Sequence, residues 1–290
     1  CPQFDGQDTA LSEHDCGWVR VVANQADHEA TSDSVGFKQY GQTIQLGGQR
    51  EVATDWIVGG SASYDKSDLD SHAVDGSIDG QGWSVGTVVK HQMGDWLVSG
   101  AVDGGRMSYD GDRHLLFTGV DRRATSQFDV SHFGIHSRIA RQIPFADWYL
   151  KPYVDLHATH LSSTGYTEQG AGELSLQVAP NSENVFSAAP MLEAGGRIDF
   201  ANGKQLRVFG GLGGSFYSEG SVGADMRFVQ GDPNAGTFHI DTDLPNERLK
   251  ADAGLDLKAS DHLDVRLEYN GEFASHYQDN TGTLKVSYVF

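Results

Sequence analysis

Apolar and polar residues alternate with a period of two along almost the whole chain, and the period of an amphipathic helix is almost absent. In "HLDVRLEYNGEF", residues 262–273, the odd-numbered Leu, Val, Leu and Tyr share one face of a strand, and the even-numbered Asp, Arg, Glu and Asn share the other. Residues 148–159 and 249–258 repeat this pattern. Each segment predicts a strand with one apolar and one charged face, so the chain is predicted to be all-β.

The connections decide whether the apolar faces point into a soluble core or out into a membrane. Short links alternate strictly with long polar ones. The short links are "GQREVATD", "HQMGD", "QIPFAD", "ANGK" and "KASD", and the long ones include "YDKSDLDSHAVDGSIDGQG", "SYDGDRHLLFTGVDRRATS", "STGYTEQGAGELSLQVAPNSEN" and "GSVGADMRFVQGDPNAGTFHIDTDLPN". Outer-membrane barrels are connected in this way, with tight periplasmic turns and longer external loops. The apolar faces are therefore predicted to point outward into lipid.

The strand count supports a closed barrel, because about twelve strands are predicted and bacterial barrels have an even number. They span residues 18–26, 39–50, 56–66, 82–92, 96–108, 124–141, 148–161, 184–200, 205–220, 237–257, 262–273 and 277–290. The predicted fold class is all-β, a transmembrane antiparallel β-barrel with short periplasmic turns and long extracellular loops. Residues 1–17 are predicted to be a pre-barrel segment or linker, and residues 18–290 the outer-membrane β-barrel.

Composition excludes other classes. The chain has 21 Lys and Arg residues against 40 Asp and Glu residues, a formal net charge of −19. We expect no nucleic-acid partner, because binding to phosphates requires clustered cations. No stretch approaches the roughly 18 consecutive apolar residues of a transmembrane helix. The polar opening "CPQFDGQDTA" does not resemble a signal peptide, so the segment is expected to be mature or excised.

Motifs that suggest catalysis or metal binding do not fit this fold. "GWSVG", around Ser84, matches the G-x-S-x-G of serine hydrolases, but that motif requires a strand-to-helix elbow and no helix is predicted after it. The nearest histidine pairs, His157 with His160 and His132 with His136, have spacings at which one strand cannot chelate an ion. We expect no enzymatic activity, no cofactor and no metal.

Four tryptophans each open an apolar-alternating stretch. Trp18, Trp56, Trp96 and Trp148 begin the first, third, fifth and seventh predicted strands, just after short links. Indole rings prefer the headgroup zone of a membrane, so the four are predicted to form a periplasmic aromatic girdle. Trp18 is the weak member, because its phase places the neighbouring valines outward instead. The alternative is that all four are core anchors of a soluble sandwich.

Charged residues on the polar faces are predicted to line the lumen. They are Lys151, Asp155, Glu193, Arg197, Arg207, Asp252, Arg266, Glu268 and Glu272. Such a lumen is wet and of mixed sign, and it serves either as a hydrated conduit or as a wall that binds a plug. If it is open, we expect it to prefer cations, because the net charge is strongly negative.

The last third of the chain carries a family resemblance. "RLEYNGEFASHYQDNTGTLKVSYVF", with its Tyr-x-Gly-Glu-Phe phrase and terminal aromatic, resembles the end of the C-terminal β-domain of autotransporters, the type V secretion family of Gram-negative bacteria. "GDWLVSGAVDGG", "WSVGTVV" and "WVRVVANQAD" resemble the same family, so the likeness extends from about residue 17 onward. The family fold is a twelve-stranded barrel whose lumen holds a helix that leads to an exported passenger. Residues 1–16 are too short and too rich in Asp, Gly and Pro to form that complete helix.

The resemblance implies a translocator domain in the bacterial outer membrane that anchors or exports a passenger at the cell surface. It also implies that Tyr288 and Phe290 present an assembly signal to the barrel-assembly machinery, although packing alone is the simpler role for the ring. Outer-membrane lipid and lipopolysaccharide would surround the barrel. Two alternatives stay open: a stand-alone structural or porin-like barrel, perhaps a subunit of a surface assembly, and a barrel enzyme with a site at its outer rim.

Cys1 and Cys16 are the only cysteines. An even count in an oxidising compartment predicts a disulfide that closes the pre-barrel segment. Two other interpretations remain: Cys1 is a lipid-modified mature N-terminus, or both thiols are free.

Overall fold

Twelve long antiparallel strands close into a barrel in the computed structural model, which describes residues 1–4, 9–31, 35–71, 75–201, 203–218, 221–230 and 236–290. In chain order they are β1 (Cys16–His28), β2 (Phe37–Ala53), β3 (Trp56–Ser71), β4 (Asp75–Met93), β5 (Trp96–Phe117), β6 (Val120–Arg141), β7 (Trp148–Ser163), β8 (Asn181–Asp199), β9 (Gln205–Tyr217), β10 (Glu247–Lys258), β11 (Leu263–Ala274) and β12 (Tyr277–Val289). Each strand pairs with the next. The two-residue strand Ile143–Pro144 pairs with β7 at the end of the barrel where the short links lie.

The barrel closes because β12 pairs with β1 from Tyr277 opposite His28 to Val289 opposite Cys16. Closure satisfies the backbone hydrogen bonds of both terminal strands, which is a requirement in lipid. Large apolar side chains are exposed on the outer face of every strand. Examples are Val21, Ile44, Leu46, Val58, Val85, Val102, Ile135, Leu156, Leu192, Leu212, Leu255, Leu267 and Leu284. The predicted fold class is confirmed.

The barrel wall is uneven in height. β5 and β6 have 22 residues each, whereas β10 and β11 have 12. About 10 tilted residues are enough to cross the hydrocarbon core, so the β5–β6 hairpin projects well beyond a membrane. The outer face of its projecting part is polar: Arg106 pairs with Asp129 at 2.6 Å, and Gln127 donates a hydrogen bond to Asp110 at 2.8 Å.

Several connections that the sequence analysis interpreted as long loops are strands. The link between β5 and β6 is only the turn Thr118–Gly119, and Gly119 has a φ of +80° that favours glycine. β3 extends to Ser71 and β4 begins at Asp75, so the predicted loop between them is mostly ladder. The predicted strand 237–257 is two strands, Phe238–Asp243 and β10. Period-two alternation does not report where a strand leaves the membrane, and this explains the errors.

A separate four-stranded sheet lies at the long-connection end. Its strands are Tyr166–Thr167, Leu176–Val178, Ser221–Phe228 and Phe238–Asp243. Backbone hydrogen bonds between Thr125 and Gln169 join this part of the chain to β6. Among the described residues, the helical structure is limited to the 3-10 turn Gly172–Leu174, and no helix is long and apolar enough to cross a membrane.

Candidate functional site: the barrel lumen

A small hairpin lies inside the lumen at the short-turn end. Its strands, Pro2–Phe4 and Leu11–Glu13, pair antiparallel. The side chain of Gln142 accepts a hydrogen bond from the Leu11 amide at 3.1 Å and donates one to the Thr9 carbonyl at 2.5 Å. Gln92 bonds in the same way to the Glu13 amide and the Leu11 carbonyl. Side chains of the barrel wall thus satisfy the backbone of the hairpin, as the neighbouring strands of a sheet would.

Further contacts tie the hairpin to distant strands. The Thr9 hydroxyl lies 3.0 and 2.9 Å from the carbonyl oxygens of Phe145 and Trp148, before and at the start of β7. Gln3 donates to Asp264 of β11 at 2.7 Å. The hairpin therefore reaches both sides of the lumen and narrows its short-turn end.

Cys1 and Cys16 form a disulfide, with Cα atoms 6.3 Å apart. The bridge joins the hairpin to the first residue of β1, and both cysteines are at most 5% exposed. The two cysteines form a buried cluster with Val289, and Trp18 packs against this cluster. The structure thus pairs the two cysteines as the sequence analysis preferred.

Glu13 is the main electrostatic link between the hairpin and the wall. Its carboxylate lies 2.9 Å from Lys90 Nζ and accepts a hydrogen bond from Gln49 at 2.8 Å. Burial opposes ionisation of Glu13, but the positive charge of Lys90 and the hydrogen bond from Gln49 help to outweigh it. The pKa of this carboxyl consequently lies below its ordinary value.

The inner faces of β7–β12, called here the charged wall, carry buried ion pairs. Glu193 lies 2.7 Å from Lys151 and 2.9 Å from Arg207, and the hydroxyl of Tyr149 donates to it at 2.6 Å. Arg207 and Glu193 side chains are each 5% exposed. Tyr149 fits because Gly195 stands opposite it in the register: a Cβ there would collide with the Tyr149 hydroxyl. The cluster places opposite charges in contact, as burial requires.

Other pairs extend this arrangement. Arg138 of β6 donates two hydrogen bonds to Asp155, at 2.5 and 2.7 Å. The Tyr153 hydroxyl donates to Asp252 at 2.8 Å, which connects β7 with β10 although two strands separate them. Glu272 lies 3.2 Å from Arg248. The structure places all nine residues of the predicted lumen set on the inner face.

Sequence reasoning missed a histidine cluster on the inner face of β5–β7. Asp103 contacts both His132 and His136, the former at 3.0 Å. His136 Nδ1 lies 2.5 Å from His157 Nδ1. The sequence analysis tested pairs within one strand, whereas these residues meet across strands, because His136 stands opposite His157 in the register. The register of β6 against β7 brings the two rings together, and the sequence carries no local signal for it.

The residues considered for chemistry do not assemble a catalytic or metal site. Ser84 lies on β4, and its hydroxyl contacts the Ser63 hydroxyl at 2.6 Å instead of a base. Within the described ranges, no group of three or more His, Cys, Asp and Glu side chains is arranged to hold a metal ion.

Three of the four predicted girdle tryptophans lie on the outer surface at the short-turn end. Trp56, Trp96 and Trp148 are 44–46% exposed. Trp56 stacks on His91, and Trp148 stacks on Phe145. Tyr288 and Phe290, the predicted assembly signal, are exposed at the same end of the barrel and contact each other edge to face.

The girdle prediction is wrong for Trp18. Its side chain lies on the inner face, where the Lys285 ammonium is 4.8 Å from the ring centroid. Gly47 stands opposite Trp18, and a Cβ at this glycine would collide with the indole. A tryptophan at the start of a strand can face the lumen or the lipid. Trp18 faces the lumen because the alternate residues Val19 and Val21 face outward.

Comparisons with known proteins agree with this architecture. A family model described as the autotransporter beta-domain matches residues 17–270. The translocator domain of the autotransporter NalP from Neisseria meningitidis is 14% identical, with a TM-score of 0.73 over 96% of this chain and 89% of that one. The β-domain of the Bordetella autotransporter BrkA is 16% identical, with a TM-score of 0.68 over 96% of this chain and 100% of that one.

A third solved structure, the transport unit of the autotransporter AIDA-I from Escherichia coli, is 11% identical, with a TM-score of 0.59 over 95% of this chain and 90% of that one. No curated protein sequence matches the chain. Identities this low establish a common fold, whereas the family model matches most of the sequence itself. The chain belongs to the autotransporter β-domain family, outer-membrane barrels that serve passenger export.

Proposed function

We propose that this domain keeps its passenger at the cell surface and that the hairpin of residues 1–13 is the lumen segment that adjoins it. The observation that carries this proposal is the position of Cys1: it is 5% exposed and lies inside the lumen. A polypeptide joined ahead of Cys1 starts within the barrel. The wiring rule for outer-membrane barrels makes the short-turn end periplasmic, so the way out leads toward the long-connection end.

A protease-access experiment tests the proposal. One epitope tag is joined ahead of Cys1, and in a second variant the same tag is inserted in the β8–β9 turn at Gly203, at the short-turn end. On intact cells, protease should remove the first tag and spare the second. Protection of both tags, with the barrel shown to be inserted, would contradict export through this lumen.

We also infer that Tyr288 and Phe290 are recognised during insertion by the barrel-assembly machinery. Phe290 is 76% exposed and Tyr288 is 54% exposed on the final strand, which leaves both rings accessible. Packing alone would be worth about 1–3 kcal/mol for one ring. Phe290→Ala should sharply reduce outer-membrane abundance in cells while detergent refolding survives. Equal abundance of variant and parent would refute the recognition role.

Surrounding lipid and lipopolysaccharide are the remaining proposed partners. The apolar outer band suits acyl chains, and the polar projecting face of β5–β6 suits the headgroup region outside it. We infer no catalytic activity for this domain, because the Ser84 hydroxyl contacts another serine. Ester hydrolysis by the purified barrel that is lost in Ser84→Ala would contradict that inference.

A further inference from the structure

A line of charged residues crosses six neighbouring strands on the inner face, from β8 through β12 to β1. Each member stands directly opposite the next in the antiparallel register. Five members are cations and one is a carboxylate. This cationic row consists of Arg197, Arg207, Asp256, Arg266, Lys285 and Arg20.

Neutralisation along the row is unequal. Asp256 lies between two arginines, 3.7 Å from Arg207 and 2.5 Å from Arg266. Beyond Arg266, the register places Lys285 next and Arg20 after it, with no carboxylate between them. Like charges directly opposite on neighbouring strands repel each other. Arg266, Lys285 and Arg20 are therefore three consecutive cations on neighbouring strands, and their positive charges repel one another.

The partners of Lys285 and Arg20 are weak. Lys285 Nζ lies 3.9 Å from the Cys1 sulfur and over the ring of Trp18. The Nε atom of Arg20 is buried and has no hydrogen-bond partner in the described part of the chain. Glu268 acts on Arg20 electrostatically but forms no ion pair with it among these residues. Burial of a charged group without a hydrogen-bonded counter-charge is costly. Binding of an external anion beside Lys285 and Arg20 would therefore be favourable.

A cavity of about 390 Å³ lies against the row, between the barrel wall and the hairpin. Seven cations line it, namely four members of the row together with Lys90, Arg138 and Lys151. Its lining carboxylates are Glu13 and Asp95. Glu193, Asp155 and Asp256, which pair with the cations, are not part of this lining. The lining therefore holds more cations than carboxylates, and three of the counter-charges lie outside it.

We propose that this cavity binds a multivalent oxyanion, with inorganic phosphate as the simplest representative. Arginine forks and a lysine ammonium that converge from different strands are the donors that recognise phosphate oxygens. Because the barrel wall separates the cavity from lipid, the ligand is a soluble anion and not a lipid headgroup. Lys285 and Arg20 supply the charges that the protein leaves unneutralised, and they contribute most to the affinity.

Calorimetric titration of the purified full chain in zwitterionic detergent tests this. Phosphate should bind saturably with a stoichiometry of one, while chloride at equal ionic strength should not compete. The double variant Lys285→Gln, Arg20→Gln should bind phosphate at least about tenfold more weakly. The matched control Lys66→Gln, which removes one cation from the outer face of β3, should bind like the parent.

Unfolding midpoints give a second readout that does not depend on calorimetry. Without phosphate, Lys285→Gln should be as stable as the parent or more stable, because repulsion within the row falls. Phosphate should raise the midpoint of the parent and leave the midpoint of the double variant unchanged. Absence of binding to the parent, equal binding to parent and double variant, or an equal phosphate-induced shift in both would each overturn the proposal.

Discussion

The two sides of the lumen are built from different chemistry. The inner faces of β2–β4, called here the polar wall, are joined mainly by hydroxyl and amide groups: Ser63 meets Ser84 at 2.6 Å, and Gln39 donates to Ser67 at 3.0 Å. One carboxylate, Asp65, accepts a hydrogen bond from Thr43 at 2.6 Å. The charged wall of β7–β12 is joined by ion pairs such as Glu193 with Arg207 at 2.9 Å. The polar wall can exchange its partners for water, whereas the charged wall cannot do so without leaving a buried charge alone.

The net charge of the chain and the charge that lines the cavity differ in sign. The value of −19 suggested a lumen that prefers cations. The outer faces of β3–β5 carry exposed acidic residues, including Asp68, Asp79 and Asp110. The cations instead cluster on the inner face around the cavity. Net charge describes the whole surface, whereas ion preference depends on the lumen lining alone.

The largest expected effect comes from breaking the charged wall. Glu193→Ala removes the partner of both Lys151 and Arg207. We expect a loss of about 3–5 kcal/mol in the free energy of unfolding, because buried Lys151 loses its counter-charge and buried Arg207 keeps only Asp256 at 3.7 Å. Urea unfolding in detergent micelles measures this loss.

The matched change in the polar wall is Ser63→Ala, which should cost about 1–2 kcal/mol because its two partners, Ser84 and Asp65, can bond to water instead. Similar losses for Glu193→Ala and Ser63→Ala would show that the two walls do not differ energetically.

Release of the hairpin should have the next largest effect. The disulfide closes a segment with a sequence separation of 15 residues, for which loop-closure entropy is worth about 3 kcal/mol. Reduction should therefore expose residues 1–13 to protease and raise single-channel conductance in planar bilayers. Intact mass should rise by two hydrogen atoms on reduction. An unchanged mass would refute the disulfide, and unchanged conductance would show that the hairpin does not limit the pore.

The tryptophans test which residues face the lumen and which face lipid, and their replacement should cause a smaller loss of stability. Lipids brominated near the headgroup should quench the fluorescence of Trp56, Trp96 and Trp148 but not of Trp18, as measured in single-tryptophan variants. Trp96→Ala should lower the free energy of unfolding by about 1–3 kcal/mol, less than Glu193→Ala. Quenching of Trp18 equal to that of the other three would contradict its position on the inner face.

The smallest effect concerns acid. The pKa of Glu13 is depressed in the folded protein, so its contribution to hairpin docking is complete above its unfolded value of about 4.3 and falls as pH drops further toward the folded pKa. Protease protection of residues 1–13 should be constant between about pH 8 and pH 5 and weaken below about pH 4. Glu13→Gln should remove this acid dependence. Loosening already at neutral pH would contradict the assignment to Glu13.

The sequence by itself determined the barrel. Alternation with a period of two depends only on which residues face lipid and which face water, so the twelve strands, the outward leucines and valines and the inner position of residues such as Arg207 and Glu272 could be predicted locally. The same rule warned of Trp18, since its phase matched the lumen and not the girdle.

Only the tertiary structure decided which residues meet. The contact between His136 and His157, the hydrogen bond from Tyr153 to Asp252 and the alignment of Arg266, Lys285 and Arg20 all depend on strand register. Register is set by ladder pairing and closure of the whole barrel, and no single strand encodes it. The position of the hairpin inside the lumen was also decided by the tertiary structure. Its backbone amides donate hydrogen bonds to glutamines on distant strands, which only closure of the barrel brings together.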